Sequence, residues 1–217
     1  MALFAAAAVS AASAAVVTLD FEGIADRSAV GDYYNGAGPA AANFGASFSL
    51  DTLALVDRDA GGTGNFANEP SPNTVMFFLN ASNAILNVSA GFSDGFSFFY
   101  SSAVTTTIDV YDGVNGSGNL LQSLSLAAQF NQGCTGDPTG DFCNWTAVGV
   151  SFVGLAKSVN FGGAADFVGF DNITFGSATP GGPGTPPPPP PGVPTPMTLS
   201  LVGVGLLALA ATRRRKS

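Results

Sequence analysis

Histidine is missing from this 217-residue sequence. With it go the side chain most suited to proton transfer near neutral pH and every Ser-His-Asp arrangement. Glutamate occurs only as Glu22 and Glu69, and no carboxylate pair can be placed at the separation a glycoside hydrolase requires. Cysteine is confined to Cys134 and Cys143, which leaves zinc short of ligands when no histidine can join them. Charged residues amount to 10%, and before residue 213 three cations stand against all fifteen acids. So acidic a chain repels phosphates, which excludes nucleic acid as a partner. No residue is assigned a catalytic role, and these absences point away from an enzyme.

Glycine (28 residues) and phenylalanine (18) are abundant instead. From Val16 onward, short β-branched and aromatic runs alternate with Gly, Asn and Asp breaks. Strands are expected at 16–21, 48–56, 75–79, 84–88, 92–100, 105–111, 120–126, 145–152, 158–161 and 167–175. In the clearest of them, Ile108 and Val110 share one side while Asp109 and Tyr111 share the other. The turn at 112–119 makes a hairpin of the two strands around it. About ten strands with no convincing soluble helix predict an all-β fold, an antiparallel β-sandwich.

The ends differ from this middle. Residues 1–15 are an apolar, Ala-rich run, and Ala12-Ser13-Ala14 fits the small-x-small rule of signal-peptide cleavage, so signal peptidase is an expected partner. No Lys or Arg precedes the run, so either translation starts upstream of Met1, the favoured expectation, or export is weaker than normal. The β-sandwich domain is expected at 16–176, followed by a Pro/Gly-rich linker at 177–192 with six consecutive prolines. That proline run favours polyproline II. Residues 197–211 carry no charge and as a helix would span about 22 Å. This is short for a hydrocarbon core of about 30 Å, but interfacial residues and snorkelling arginines extend it to one transmembrane helix. Arg213 to Lys216 then place the C-terminus on the cytoplasmic side.

Val193-Pro194-Thr195-Pro196, the apolar run and the basic cluster, in that order, resemble the PEP-CTERM sorting signal of bacterial exported proteins. Thr195 stands where that signal usually has glutamate. The resemblance implies recognition of Val193, Pro194, Thr195 and Pro196 by an exosortase-type membrane protease. It also implies export across the inner membrane to the envelope, surface or extracellular polysaccharide matrix. Leu19-Asp20-Phe21-Glu22 and the closing run 167–175 resemble the first and last strands of exported jelly-roll modules, many of them carbohydrate-binding.

Four sets of residues follow as site candidates. In an exported chain Cys134 and Cys143, with eight residues between them, read as a disulfide. Asp20, Glu22 and Asp171 lie on strands that tend to pair in jelly rolls, so they either ligate one structural calcium ion or face solvent. The Gly-rich loop after Asp57-Arg58-Asp59 departs from the EF-hand spacing and reads as a solvated loop. Among the aromatics, Tyr33 and Tyr34 are the expected exposed pair for stacking on a glycan. Trp145 is expected to pack beside the disulfide, and most phenylalanines to form the core. A non-enzymatic glycan or matrix module is the leading expectation. The alternatives are a secreted carbohydrate-active enzyme and a purely structural surface protein.

Overall fold

The computed structural model describes residues 15–131, 134–135 and 140–182. The expected signal peptide, apart from Ala15, lies outside the described residues, as do the sorting motif, the transmembrane helix and the basic tail. Among the described residues no helix is long and apolar enough to cross a membrane.

Among the described residues eleven strands follow one another: β1 (Val17–Leu19), β2 (Ala46–Phe48), β3 (Thr52–Val56), β4 (Thr74–Phe78), β5 (Asn83–Phe92) and β6 (Phe96–Ser102), then β7 (Thr106–Tyr111), β8 (Leu120–Leu126), β9 (Thr146–Val150), β10 (Ala156–Gly162) and β11 (Val168–Phe175). They form two antiparallel sheets. One runs β3-β4-β11-β6-β9, with β1 against the C-terminal half of β11, and the other runs β2-β5-β10-β7-β8. The opening and closing strands pair as expected, Val17 opposite Phe175 and Leu19 opposite Ile173.

Period-two alternation explains why these segments became strands. In β5, Ala84, Leu86 and Val88 are buried while the residues between them are not; in β7, Thr106, Ile108 and Val110 are buried. These inward faces meet those of the other sheet. Phe161 of β10 lies 4.9 Å (ring centroids) from Phe170 of β11 and 5.8–5.9 Å from Phe96 and Phe98 of β6, each close to edge-to-face. Burial of each ring contributes roughly 2–3 kcal/mol, so this phenylalanine cluster is the main bond between the layers.

The expected strand over 48–56 is two strands in different sheets. Thr52 N–H donates to Ser49 O at 3.0 Å and the two side-chain oxygens lie 3.0 Å apart, closing a turn with Leu50 at its exposed tip. Alternation persists through the turn, which is why the sequence read as one strand. The linker also begins later than expected. Ser177 O accepts from Ser97 Oγ at 2.9 Å and Gly181 N–H donates to Thr174 Oγ1 at 3.0 Å, so these residues pack on the domain.

The two outer faces differ. On the six-stranded sheet, Val75 and Phe77 of β4 are buried from outside beneath the chain around Phe66, Phe142 and Trp145. Phe66 and Trp145 meet edge-to-face at 6.2 Å, and the indole N–H donates to Ala67 O at 3.0 Å. Trp145 thus packs on Phe66 and over Gly169, where a Cβ would lie 3.1 Å from its ring. Cys134 and Cys143 are paired in this cover, with Cα atoms 5.0 Å apart. The other sheet's outer face has no comparable cover among the described residues.

Candidate functional site

Asp20, Glu22 and Asp171 do converge, though not as three carboxylates. Ser71 Oγ is their meeting point. It lies 2.9 Å from Asp171 Oδ1, 3.3 Å from Glu22 Oε1, 3.1 Å from Asp20 O and 3.1 Å from Thr74 O. One hydroxyl has one proton to donate, yet four acceptors surround it. Asp20 contributes its carbonyl, while its exposed side chain accepts from Glu22 N–H at 3.3 Å. Among the described residues no three His, Cys, Asp or Glu side chains stand close enough to hold a metal. The expected trio is therefore corrected to two carboxylates and two backbone carbonyls.

Two left-handed residues build this centre. Phe21, at φ 62° between the two acids, is buried and donates its N–H to Tyr34 Oη at 2.6 Å. Asn172, at φ 48°, follows Asp171 where the β11–β6 register shifts. A bulge of this kind re-aims a side chain, and here it aligns with Asp171 being turned into the protein. Non-glycine residues in this region carry strain of order 1–3 kcal/mol each. Asp171 is fully buried and accepts from Ser71 N–H at 2.7 Å and Asn172 N–H at 2.6 Å. Burial nevertheless pushes its carboxyl up to about 7, against those hydrogen bonds and with help from the charge of Glu22. Glu22 in turn accepts from the N–H groups of Asn73 (2.9 Å) and Thr74 (2.8 Å). Ser71, absent from the sequence expectations, is legible only through pairing, since serine before proline reads as loop.

The expected exposed pair of tyrosines is not one. Tyr34 is buried (2% exposed), and burial, with the nearby charge of Asp20, raises its hydroxyl's pKa. Its ring meets Phe21 at 5.9 Å and stacks on Phe44, so it presents no face to a ligand. Tyr33 is half-buried, edge-to-face with Tyr34 at 5.0 Å, and donates to Glu22 O at 3.2 Å.

The five-stranded sheet offers a different aromatic. Residues pointing outward fall in rows across it: Asn87, Ser158 and Tyr111 in one, and Ile85, Asn160, Asp109 and Ser123 in the next. Asn83 Nδ2 donates to Asn160 Oδ1 at 3.0 Å, and Ser123 Oγ donates to Asp109 Oδ1 at 2.7 Å. Tyr111 titrates above its ordinary range through desolvation, then through the charge of Asp109 and a hydrogen bond to it. The 112–119 turn folds over one end, where Gly116 N–H meets Ser158 Oγ at 2.9 Å and Asn115 N–H meets Asn87 Oδ1 at 2.7 Å. What remains is a solvated strip of amide, carboxylate, hydroxyl and one aromatic ring.

On the opposite layer a cleft of about 350 Å³ opens beside β3 and β4. Arg27, Arg58, Thr63, Asn65, Asp141 and Asp166 line it around an apolar patch from Leu55, Phe77 and Leu79. The loop after Asp57 forms part of its wall. Backbone bonds from Gly64 N–H to Val56 O (2.8 Å) and from Gly62 N–H to Asp57 O (2.8 Å) tie that loop down.

No family model matches the chain, and no curated protein matches it. Among solved structures it is similar to a family 6 carbohydrate-binding module (18% identity, TM-score 0.36, over 59% of this chain and 85% of that one). It is also similar to the family 11 carbohydrate-binding module of a cellulosomal cellulase of Clostridium thermocellum (11%, 0.34, over 76% and 95%). A third similar chain is a glycoside hydrolase family 43 arabinoxylan arabinofuranohydrolase from Bacillus subtilis, in complex with cellotetraose (18%, 0.34, over 57%). This chain spans 24% of it.

Proposed function

We propose that this protein is a non-enzymatic glycan or matrix-interaction module, exported and sorted by an exosortase to the cell surface or extracellular matrix. The observation that carries the binding part is the open face of the five-stranded sheet. Tyr111 supplies a ring edge or face for the C–H side of a sugar, while Asp109, Asn160 and Asn83 supply acceptors and donors for its hydroxyls. Their placement on adjacent strands of a rigid sheet favours binding without a large ordering cost. Anchoring by residues 197–211, and processing near Val193 to Pro196, rest on the sequence of the tail. The Cys134–Cys143 pair agrees with an oxidising compartment.

One structural calcium ion is part of the proposal. The oxygens gathered around Ser71 are of the kind a hard cation takes: two carboxylates and two carbonyls. Glu22, Asp171, Asp20 O and Thr74 O would hold it, joining β1, the segment before β4, and β11. Its contribution would be cohesion of those strands and neutralisation of two facing carboxylates.

A glycan array probed with the full chain in mild detergent tests the module. Binding to one class of oligosaccharide is expected, weakened at least tenfold by Tyr111→Ala and by Asp109→Ala. Release of reducing sugar on incubation, or binding indifferent to both substitutions, would refute it.

A further inference from the structure

We propose that the cleft beside β3 and β4 binds the carboxylate of an acidic saccharide, a hexuronate unit, through Arg27 and Arg58. This rests on the glycan-module reading and adds to it a second site and a ligand class.

The first observation is where the positive charge lies. Arg27 and Arg58 are the only arginines before residue 213, and both line this one cleft. In a segment with fifteen acids and three cations, chance placement would scatter them. A guanidinium, with its fixed planar donors, holds a carboxylate through two parallel hydrogen bonds.

A second observation concerns how Arg27 is held. Its backbone is left-handed, at φ 58°, a conformation glycine takes freely and other side chains take at a cost of order 1 kcal/mol. The conformation is locked from both sides. Arg27 N–H donates to Ala54 O at 2.8 Å, while the Asp26 carboxylate accepts from Val56 N–H at 2.9 Å and Thr63 Oγ1 at 2.8 Å. Asp166, on another wall, is also left-handed at φ 66°, its N–H bonded to Phe78 O at 2.9 Å. Arginine at a glycine-type position gains nothing for the backbone. Its side chain is the reason for it, and that side chain is exposed at the cleft.

The rest of the lining decides between anions. Phosphate or sulfate is compact and suited to cations alone, and here it would face Asp141 and Asp166 as well. A uronate carries a single charge on a ring of hydroxyls. Its carboxylate meets the arginines, its hydroxyls meet the two aspartates, Thr63 and Asn65, and its C–H face meets Leu55 and Leu79. Asn65 Nδ2 already donates to Asp141 Oδ2 at 3.3 Å, which orients both for that purpose. The volume, about 350 Å³, suits one or two sugar units.

Calorimetry on the full chain in mild detergent tests this, with oligogalacturonate and oligoglucuronate as probes beside their carboxyl-reduced counterparts. Uronate binding at least tenfold tighter than the reduced form is expected. Arg58→Gln and Arg27→Gly should each lose at least tenfold of it, with Arg27→Gly melting at the same temperature as wild type or above. A melting point several degrees lower in Arg27→Gly would make that arginine structural and overturn the inference. So would equal affinity for charged and reduced forms, uronate binding unchanged in Arg58→Gln, or full competition by equimolar inorganic phosphate. Neutral glycans bound through Tyr111 with no uronate preference would leave the module reading standing while this inference falls. No binding of any glycan would remove both.

Discussion

Replacing Asp171 with asparagine sets two effects of opposite sign against each other. In chelator, the wild-type carboxyl is pushed up to about 7 in the folded protein by burial, against about 3.9 in an unfolded chain. A folded value above the unfolded one favours the protonated native state. Its contribution is therefore fully present below about pH 4 and is lost as pH rises toward 7. At 1.36 kcal/mol per pH unit, that window is worth roughly 4 kcal/mol. Asparagine removes the titration. It cannot, however, accept from both Ser71 N–H and Asn172 N–H, which now bond to the two carboxylate oxygens. One buried donor loses its partner, at a cost of about 1–3 kcal/mol. The wild type should thus be the more stable protein at pH 4 and the variant at pH 8, with the two curves crossing between about pH 4.5 and 6. At about 2–4 °C per kcal/mol, the difference in melting temperature should swing by roughly 10 °C across the range. Differential scanning calorimetry at closely spaced pH values in EDTA measures it. A gap between the proteins that stays constant from pH 4 to 8 would refute the reasoning.

Calcium at a hundredfold excess over Kd should stabilise the wild type by about 2.7 kcal/mol at pH 8, with magnesium a poor substitute. A thermal melt unmoved by calcium removes the ion from the proposal. Thiol labelling should find Cys134 and Cys143 unreactive until reduced, and reduction should lower stability by about 2–3 kcal/mol on the chain-entropy estimate; free thiol in the unreduced protein contradicts this. Truncation of residues 193–217 should move the protein from the envelope to the soluble fraction, and continued sedimentation with membranes would exclude the tail as its anchor.

Sequence carried the fold further than the site, for a physical reason. Alternation is a local signal, and it marked β7 almost to the residue because one face lies against the phenylalanine core; β11, buried on both faces, was legible instead from its nearly unbroken apolar and β-branched run. Alternation missed the turn at Ser49 because a strand that changes sheets keeps its period. The pairing of β1 with β11 brought the Glu22 and Asp171 carboxylates to Ser71, with the carbonyl of Asp20 in place of its side chain. Which atom of Asp20 faces inward depends on the left-handed Phe21, and a phenylalanine gives no sign of that conformation. Tyr33 and Tyr34 lie in a Gly-rich stretch that resembles open loop, yet Tyr34 caps the core through Phe21 N–H. Parity did place Asp109 beside Tyr111. That these two look out on water rather than on a covering segment is a long-range fact. The grouping of Arg27, Arg58, Asp141 and Asp166 likewise spans too much sequence for any local pattern to reveal.

The centre of each sheet is built from the end of the domain. β10 lies between β5 and β7, and β11 lies between β4 and β6, so residues 156–175 supply both middle strands. Until they arrive, neither sheet can close, and β3-β4, β6-β9, β2-β5 and β7-β8 are four separate ladders with open edges. A chain crossing a membrane from its N-terminus would consequently stay unfolded for most of the passage and condense in one late step. The same order makes the domain intolerant of early termination. A product ending before Val168 retains the phenylalanines of β6 and the inner edges of β4 and β6 but lacks the strand that covers them, and such edges pair with other chains.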